Sequence, residues 1–277
     1  MLVNQTVISS RNNPIVKWAA SLKDKKGRDV SKSFIAEGEK LVFEVANSSL
    51  PVTHIFVCED KAARLVPLVK ERFSADLYRD TELYVLKPEA FEKISTENAP
   101  QGIISVVKHL DFFSESDIIY KEEFLKKSSE RYIFLSSVRD PGNLGAVIRS
   151  SVAFGTDNIV LSTDCADVYN PKTIRGSMGS LFRVNISYVT SLEKTVMEAR
   201  NSGRRVFAAE LSEKAFSISD FDILPTDIII IGNEGHGIIK SVSDACDGSL
   251  YIPISSKTES LNASVAAAVF MWEQSKK

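Results

Sequence analysis

From residue 131 onward the chain alternates between two kinds of segment, and that alternation limits the fold more than any other feature. Runs at 132–135, 158–161, 205–209, 227–231 and 250–252 are short and almost wholly apolar, as in Asp227-Ile228-Ile229-Ile230-Ile231. A strand with one wet face would alternate polar and apolar residues, whereas a strand apolar throughout suits a parallel sheet covered on both faces. Amphipathic stretches between the runs supply the covering helices. The last of them carries Leu261, Val265, Ala268, Val269 and Trp272 at helical spacing, which turns one face toward the sheet. The predicted fold class over 131–277 is α/β, a mostly parallel sheet with helices on both faces.

Residues 1–108 read as a smaller, separate α/β unit. Asn13-Pro14 opens a helix carrying Ile15, Trp18, Ala19 and Leu22. An apolar run at 34–36, a helix over 39–47, a strand at 54–58, a helical stretch at 62–73 and a closing strand at 102–107 follow. Residues 109–130 change character: six acids meet three lysines, which predicts a linker or a surface helix between two domains.

Several classes of function are disfavoured. No apolar run approaches the roughly 20 residues that span a bilayer, and no basic stretch followed by an apolar one marks a secretory signal at the start. Cys58, Cys165 and Cys246 are few, odd in number and far apart, which argues for a reducing cytoplasm and against disulfides. His54, His109 and His236 are too scattered for a metal cluster, so no metal is expected. The net charge of -2 gives no hint of nucleic acid, but residues 1–32 hold seven Lys/Arg against two acids. Arg11, Lys17 and Arg28 in that patch could track phosphates, and a solvated terminal helix explains it equally well.

Three segments place Gly, Asn, Ser or Pro where an apolar run ends, the edge at which open α/β sheets bind ligands. The first runs from Asp140 to Arg149, where Asn143 is a good N-cap for the helix that starts there. The second, Gly232-Asn233-Glu234-Gly235-His236-Gly237, has three glycines in six residues, in an order that is not the dinucleotide fingerprint. The third is Ile252-Pro253-Ile254 leading to Ser260-Leu261-Asn262, where Pro253 stops sheet pairing. A fourth, Asn170 to Phe182, is dense in basic and small polar groups, with Lys172 and Arg175 suited to phosphates. Alone, each has a plain structural reading: a capped helix, a Gly-rich turn, an N-cap.

Together and in order, they resemble the motifs of the SpoU (TrmH) family of RNA 2′-O-ribose methyltransferases over about 131–277. Asn143 and Arg149 match its first motif. Gly232, Glu234 and Gly235 match its second, and Ile252, Pro253, Ser260, Leu261 and Asn262 its third. Phe34 to Val42, with Glu37-Gly38, is similar to the Phe-x-x-Glu-Gly segment of a substrate-binding domain found in many relatives. That domain resembles small ribosomal proteins that bind kinked RNA. Ser256 departs from the family's pattern, which often has Gly there.

The resemblance implies a SPOUT-type fold whose C-terminal part is tied in a trefoil knot. It implies S-adenosylmethionine held largely by backbone groups, with Gly232, Ile252 and Leu261 at the matching positions. It implies methylation of a ribose 2′-hydroxyl in structured RNA, with 23S-type rRNA favoured. The alternatives are a tRNA 2′-O-methyltransferase and a non-catalytic RNA- or ribosome-binding protein of the same fold. The implied site residues are Arg149, Asn143, Glu234, Ser260 and Asn262. Arg149 would take part in removing the proton. Because arginine holds its own proton so firmly, two routes stay open: stabilising the developing oxyanion while binding a phosphate, or acting as a base after desolvation. A homodimer through the C-terminal domain is also implied, with RNA rather than DNA as partner.

Overall fold

The computed structural model describes residues 2–3, 7–110, 129–233 and 235–276. The chain divides into two units, residues 1–110 together with 167–182, and 111–166 together with 183–277. Most of the expected linker, 111–128, and Glu234 lie outside the described residues.

The first unit is built on five strands: β1 (Leu2–Val3), β2 (Ser33–Glu37), β3 (Val52–Cys58), β4 (Glu82–Leu86) and β5 (Ile103–Lys108), in the order β1-β4-β3-β5-β2. β5 runs antiparallel to both its neighbours, and the other pairs are parallel. Helices α1 (Pro14–Ser21), α2 (Lys25–Ser31), α3 (Glu39–Asn47), α4 (Glu59–Arg72) and α5 (Pro88–Ile94) complete it. Asn13 starts α1 as the sequence predicts: its side chain accepts from the Ile15 amide at 2.9 Å, and Pro14 needs no partner at the first helical position. Val16 and Ala19 of α1 and Ala90, Phe91 and Ile94 of α5 pack on Ile35, Phe56, Leu86, Ile104 and Val106. β4 was not legible, because Glu82 and Tyr84 interrupt its apolar pattern.

The segment 167–182 belongs with this unit. Phe34 of β2 stacks on Tyr169, with ring centres 4.9 Å apart and planes 21° from parallel. The Arg28 guanidinium grips Asp167 at 2.6 Å.

The second unit is a seven-stranded sheet in which every pairing is parallel. Its strands are β6 (Tyr132–Leu135), β7 (Asn158–Ser162), β8 (Asn185–Val189), β9 (Val206–Ala209), β10 (Phe216–Ser217), β11 (Ile228–Ile231) and β12 (Gly248–Tyr251), ordered β10-β12-β9-β11-β6-β7-β8. Its helices are α6 (Pro141–Phe154), then, after the Pro171–Ser177 helix α7 of the first unit, α8 (Leu192–Asn201), α9 (Lys240–Asp244) and α10 (Ala263–Ser275). On one face Tyr132, Phe134, Val160, Ile228 and Ile230 meet Val196 and Ala199 of α8 and Val242 of α9. The intervening residues Ile133, Leu135, Ile229 and Ile231 are equally buried, and α10 packs against α6 and β11. Both faces are dry, as the unbroken apolar runs require; each fully buried side chain of this size contributes about 1.5–3 kcal/mol. β8 is an edge strand with polar positions, so it lacked the apolar signature. The knot implied by the resemblance fits this sheet order.

Candidate functional site

The loops after β6, β11 and β12 leave the same, C-terminal edge of the parallel sheet. At the first, α6 begins differently from the prediction. Asp140, not Asn143, is the N-cap: its side chain accepts from the Asn143 amide at 2.8 Å, with Pro141 at the first helical position. Asp before Pro is the better start signal. Asn143 is therefore the third helical residue, and its side chain is spared from capping. Its Oδ1 accepts from Asn262 Nδ2 at 2.9 Å.

Asn262 caps α10. Its Oδ1 accepts from the Ser264 amide at 2.9 Å, the Val265 amide at 3.4 Å and the Ser264 hydroxyl at 2.6 Å. With the oxygen so occupied, the amide group has one orientation left, and its nitrogen faces Asn143. One residue thus ends a loop, starts a helix and joins the first motif to the third.

The Gly-rich loop closes on itself. Asn233 and Gly237 exchange both backbone hydrogen bonds, at 3.0 and 2.9 Å. Gly232 sits against that closure: a Cβ there would lie 2.6 Å from the Gly237 carbonyl carbon. The Asn233 side chain accepts from the amides of Gly235 and His236 and donates to the Ser137 carbonyl at 2.9 Å. His236 itself is exposed.

Ser137, just past β6, has φ of 57°. Its hydroxyl donates to Asp164 at 2.6 Å, and its amide donates to the Ser162 hydroxyl oxygen at 2.9 Å. Asp164 also accepts from the Ser162 hydroxyl at 2.7 Å and from Arg139 at 3.0 Å. Burial by itself would raise the Asp164 pKa, but these donors outweigh it and hold the carboxyl at about 2.

Beside the third loop lies a cleft of about 460 Å³. It is lined by Ala209, Glu210, Leu250, Ile252, Ser260, Leu261 and Phe270 among others. That volume falls within the usual range for small-molecule sites, and the mixture of apolar walls with a few polar groups is also usual for them. It suits an adenosyl group with a polar amino-acid tail. Ile252 and Leu261, expected at a cofactor, line this cleft together with Ser260, expected among the catalytic residues; Gly232, also expected at the cofactor, and Arg149 are not among its lining residues.

Arg149 lies on α6, six residues beyond Asn143 and about 9 Å along the helix axis. It is exposed, and its side chain forms no hydrogen bond or ion pair among the described residues. Of the expected phosphate contacts, Arg11, Lys17 and Lys172 are exposed, and Arg175 is exposed but pairs with Glu97. Arg28 is a correction. It is 2% exposed, and its guanidinium donates to Asp167 and to the carbonyls of Leu22 and Lys23, so no phosphate can reach it.

No group of three or more His, Cys, Asp or Glu able to hold a metal occurs among the described residues. None of their helices is long and apolar enough to cross a membrane. Sequence reasoning missed Asp140, Ser137, Asp164 and Glu210. Asp140 had a signal, the Asp-Pro pair; a loop aspartate such as Asp164 had none.

Residues 130–272 match the model of the SpoU rRNA Methylase family, and residues 13–105 match the MRM3-like substrate binding domain. The chain is 31% identical to 23S rRNA (guanosine(2553)-2′-O)-methyltransferase RlmP of Bacillus subtilis, covering 95% of this chain and 96% of that protein. It is 28% identical to the 23S rRNA (uridine(2479)-2′-O)-methyltransferase of Streptomyces viridochromogenes, over 96% and 90%. Among solved structures, an AdoMet-bound rRNA methyltransferase from Sinorhizobium meliloti superposes with a TM-score of 0.81 at 26% identity, covering 99% of this chain and 98% of that one. The chain belongs to the SpoU rRNA methylase family.

Proposed function

We propose that this protein transfers a methyl group from S-adenosylmethionine to a ribose 2′-hydroxyl of ribosomal RNA, within the large-subunit rRNA on which its relatives act by name. The observation that carries this reading is the Asn143–Asn262 hydrogen bond, which joins the first and third family motifs beside a cleft of cofactor size. A non-catalytic RNA-binding protein would have no need to keep both amides and that cleft.

Ile252, Leu261 and Ser260 would hold S-adenosylmethionine in the cleft. When bound, the cofactor supplies a methyl group already activated by its sulfonium. The protein's own tasks are to orient the ribose and to manage one proton. Asn143 and Asn262 fix the start of α6 relative to the third loop. Arg149 offers its guanidinium to the phosphate beside the target ribose and stabilises the developing oxyanion.

Residues 1–108 present structured RNA through Arg11, Lys17, Lys172 and Arg175, the last two from the segment that packs with them. Residues 131–277 carry the chemistry, with 109–130 joining the two. Ser150, Phe154, Val265, Ala268, Val269 and Trp272 of α6 and α10 line an apolar groove, in which Val265 and Trp272 are about half exposed. This groove supports a homodimer through the second unit, with Arg149 beside the interface. A cytoplasmic location follows from the rRNA substrate.

The test is Arg149→Ala. Methyl transfer to rRNA falls at least a hundredfold, while S-adenosylhomocysteine affinity by calorimetry stays within threefold. Substantial remaining activity would remove Arg149 from the mechanism.

A further inference from the structure

Ser137 is one of four non-glycine residues with positive φ among the described residues. A side chain in that region costs free energy and persists only where its surroundings hold it. Here the holders are explicit. Asp164 takes the Ser137 hydroxyl on one carboxylate oxygen and the Ser162 hydroxyl on the other, and Arg139 pairs with the first. The Ser162 hydroxyl oxygen in turn accepts the Ser137 amide. Three side chains, Ser137, Ser162 and Arg139, thus converge on one carboxylate.

The strain has a use. With Ser137 in this conformation its carbonyl meets Asn233 Nδ2 at 2.9 Å, and Asn233 also gathers the amides of Gly235 and His236. Three residues further along the chain, Asp140 caps α6 and sets Asn143 against Asn262. A peptide turned at Ser137 would therefore shift the Gly-rich loop and the start of α6 together.

We infer that Asp164 is a positioning residue for methyl transfer, acting through Ser137: it holds the strained turn that registers the second-motif loop with the first-motif helix. This inference rests on the methyltransferase reading above. It predicts that the loss caused by removing Asp164 is relieved by removing the strain. Glycine adopts a φ of 57° without penalty, so Ser137→Gly restores the turn without its clamp.

The experiment measures kcat and KM for rRNA, S-adenosylhomocysteine affinity and melting temperature on the full chain. Asp164→Ala lowers kcat roughly ten- to a hundredfold, the scale of a small misplacement of reacting groups, with KM for RNA changed less than threefold. Asp164→Ala with Ser137→Gly recovers at least half of that loss on a logarithmic scale. An Asp164→Ala enzyme within twofold of wild type would overturn the inference, and so would a loss that Ser137→Gly leaves untouched. Should Asp164→Ala fail to fold, two single variants carry the same test. Ser137→Ala keeps the strain but deletes the hydroxyl, whereas Ser137→Gly deletes both. The inference requires the glycine variant to be the more active, and the reverse order refutes it. Absence of activity in the wild-type protein would instead count against the methyltransferase reading itself, which keeps the two failures apart.

Discussion

Gly232→Ala should open the second-motif loop, and the cost can be worked from its surroundings. The new Cβ would lie 2.6 Å from the Gly237 carbonyl carbon, and 2.8 Å from both the Gly237 oxygen and Ile238 Cγ1. Two of those three atoms are backbone, so rotating a side chain cannot relieve the clash. The loop must part, which loses the two Asn233–Gly237 backbone hydrogen bonds. At about 0.5–1.5 kcal/mol each, that is a loss of roughly 2 kcal/mol. In a domain of this size it lowers the melting temperature by roughly 4–8 °C. The neighbouring glycines make internal controls. Gly237 has φ of 66° and open space around it, so Gly237→Ala carries only the left-handed penalty of about 1 kcal/mol. At Gly235 the nearest atom to a Cβ is Asn233 Oδ1 at 3.5 Å, an ordinary contact, and Gly235→Ala should shift the melt by less than about 1 °C. Differential scanning fluorimetry reads the series, and calorimetry with S-adenosylhomocysteine reports whether the cofactor site follows. A Gly232→Ala protein that melts within 1 °C of wild type, or a reversed order in the series, would refute the argument that Gly232 serves loop closure.

Three further outcomes follow from the same contacts. Asn262→Ala loses both a cap, worth about 1 kcal/mol, and the bond to Asn143; in a double-mutant cycle with Asn143→Ala, chemical denaturation should show a coupling of about 0.5–1.5 kcal/mol, and additivity would mean that the amide pair does not join the motifs. Asp164 has a folded pKa of about 2, below its ordinary 3.8, so the stability it contributes is present above about pH 4 and lost as pH falls toward 2; Asp164→Asn should flatten the acid limb of the melting curve there, by an amount trimmed because the side chain is 41% exposed. Arg28→Ala removes one half of a buried pair and should destabilise the protein by about 3–5 kcal/mol, whereas exposed Lys17→Ala should leave stability within about 0.5 kcal/mol and reduce the salt dependence of RNA binding by about one unit of slope.

The parallel sheet was readable because burial on both faces leaves a mark that no other environment leaves: 227–231 could hardly be anything but a central strand, and β11 lies between β9 and β6. Strands with polar positions leave weaker marks. The edge strand β8 and β4, which lies inside its sheet, both carry polar residues, and their pattern was lost among the loops. Ile252 and Leu261, expected beside a cofactor from the motif pattern, line a cleft. The division of labour within the motifs was not. Asn143 looked like a cap because Asn caps well, but Asp140, two residues outside the Gly-Asn pair, bonds the amide first. Arg28 looked like a phosphate contact because charge in a sequence carries no information about burial, and only the fold brings Asp167 to it from 139 residues away. Asp164 was invisible for the same reason: its meaning lies in the hydroxyls that two strand ends deliver to it.

The central claim is the reaction, and one measurement addresses it most directly. Protein is incubated with radiolabelled S-adenosylmethionine and ribosomal RNA from a strain lacking this gene, and label is mapped by its resistance to alkaline cleavage. The account predicts transfer to one nucleotide of the large-subunit rRNA, on the ribose 2′-oxygen, and no transfer by Arg149→Ala. Label on a base, or no transfer to free rRNA, to intact subunits or to tRNA by protein that binds S-adenosylhomocysteine, would contradict it.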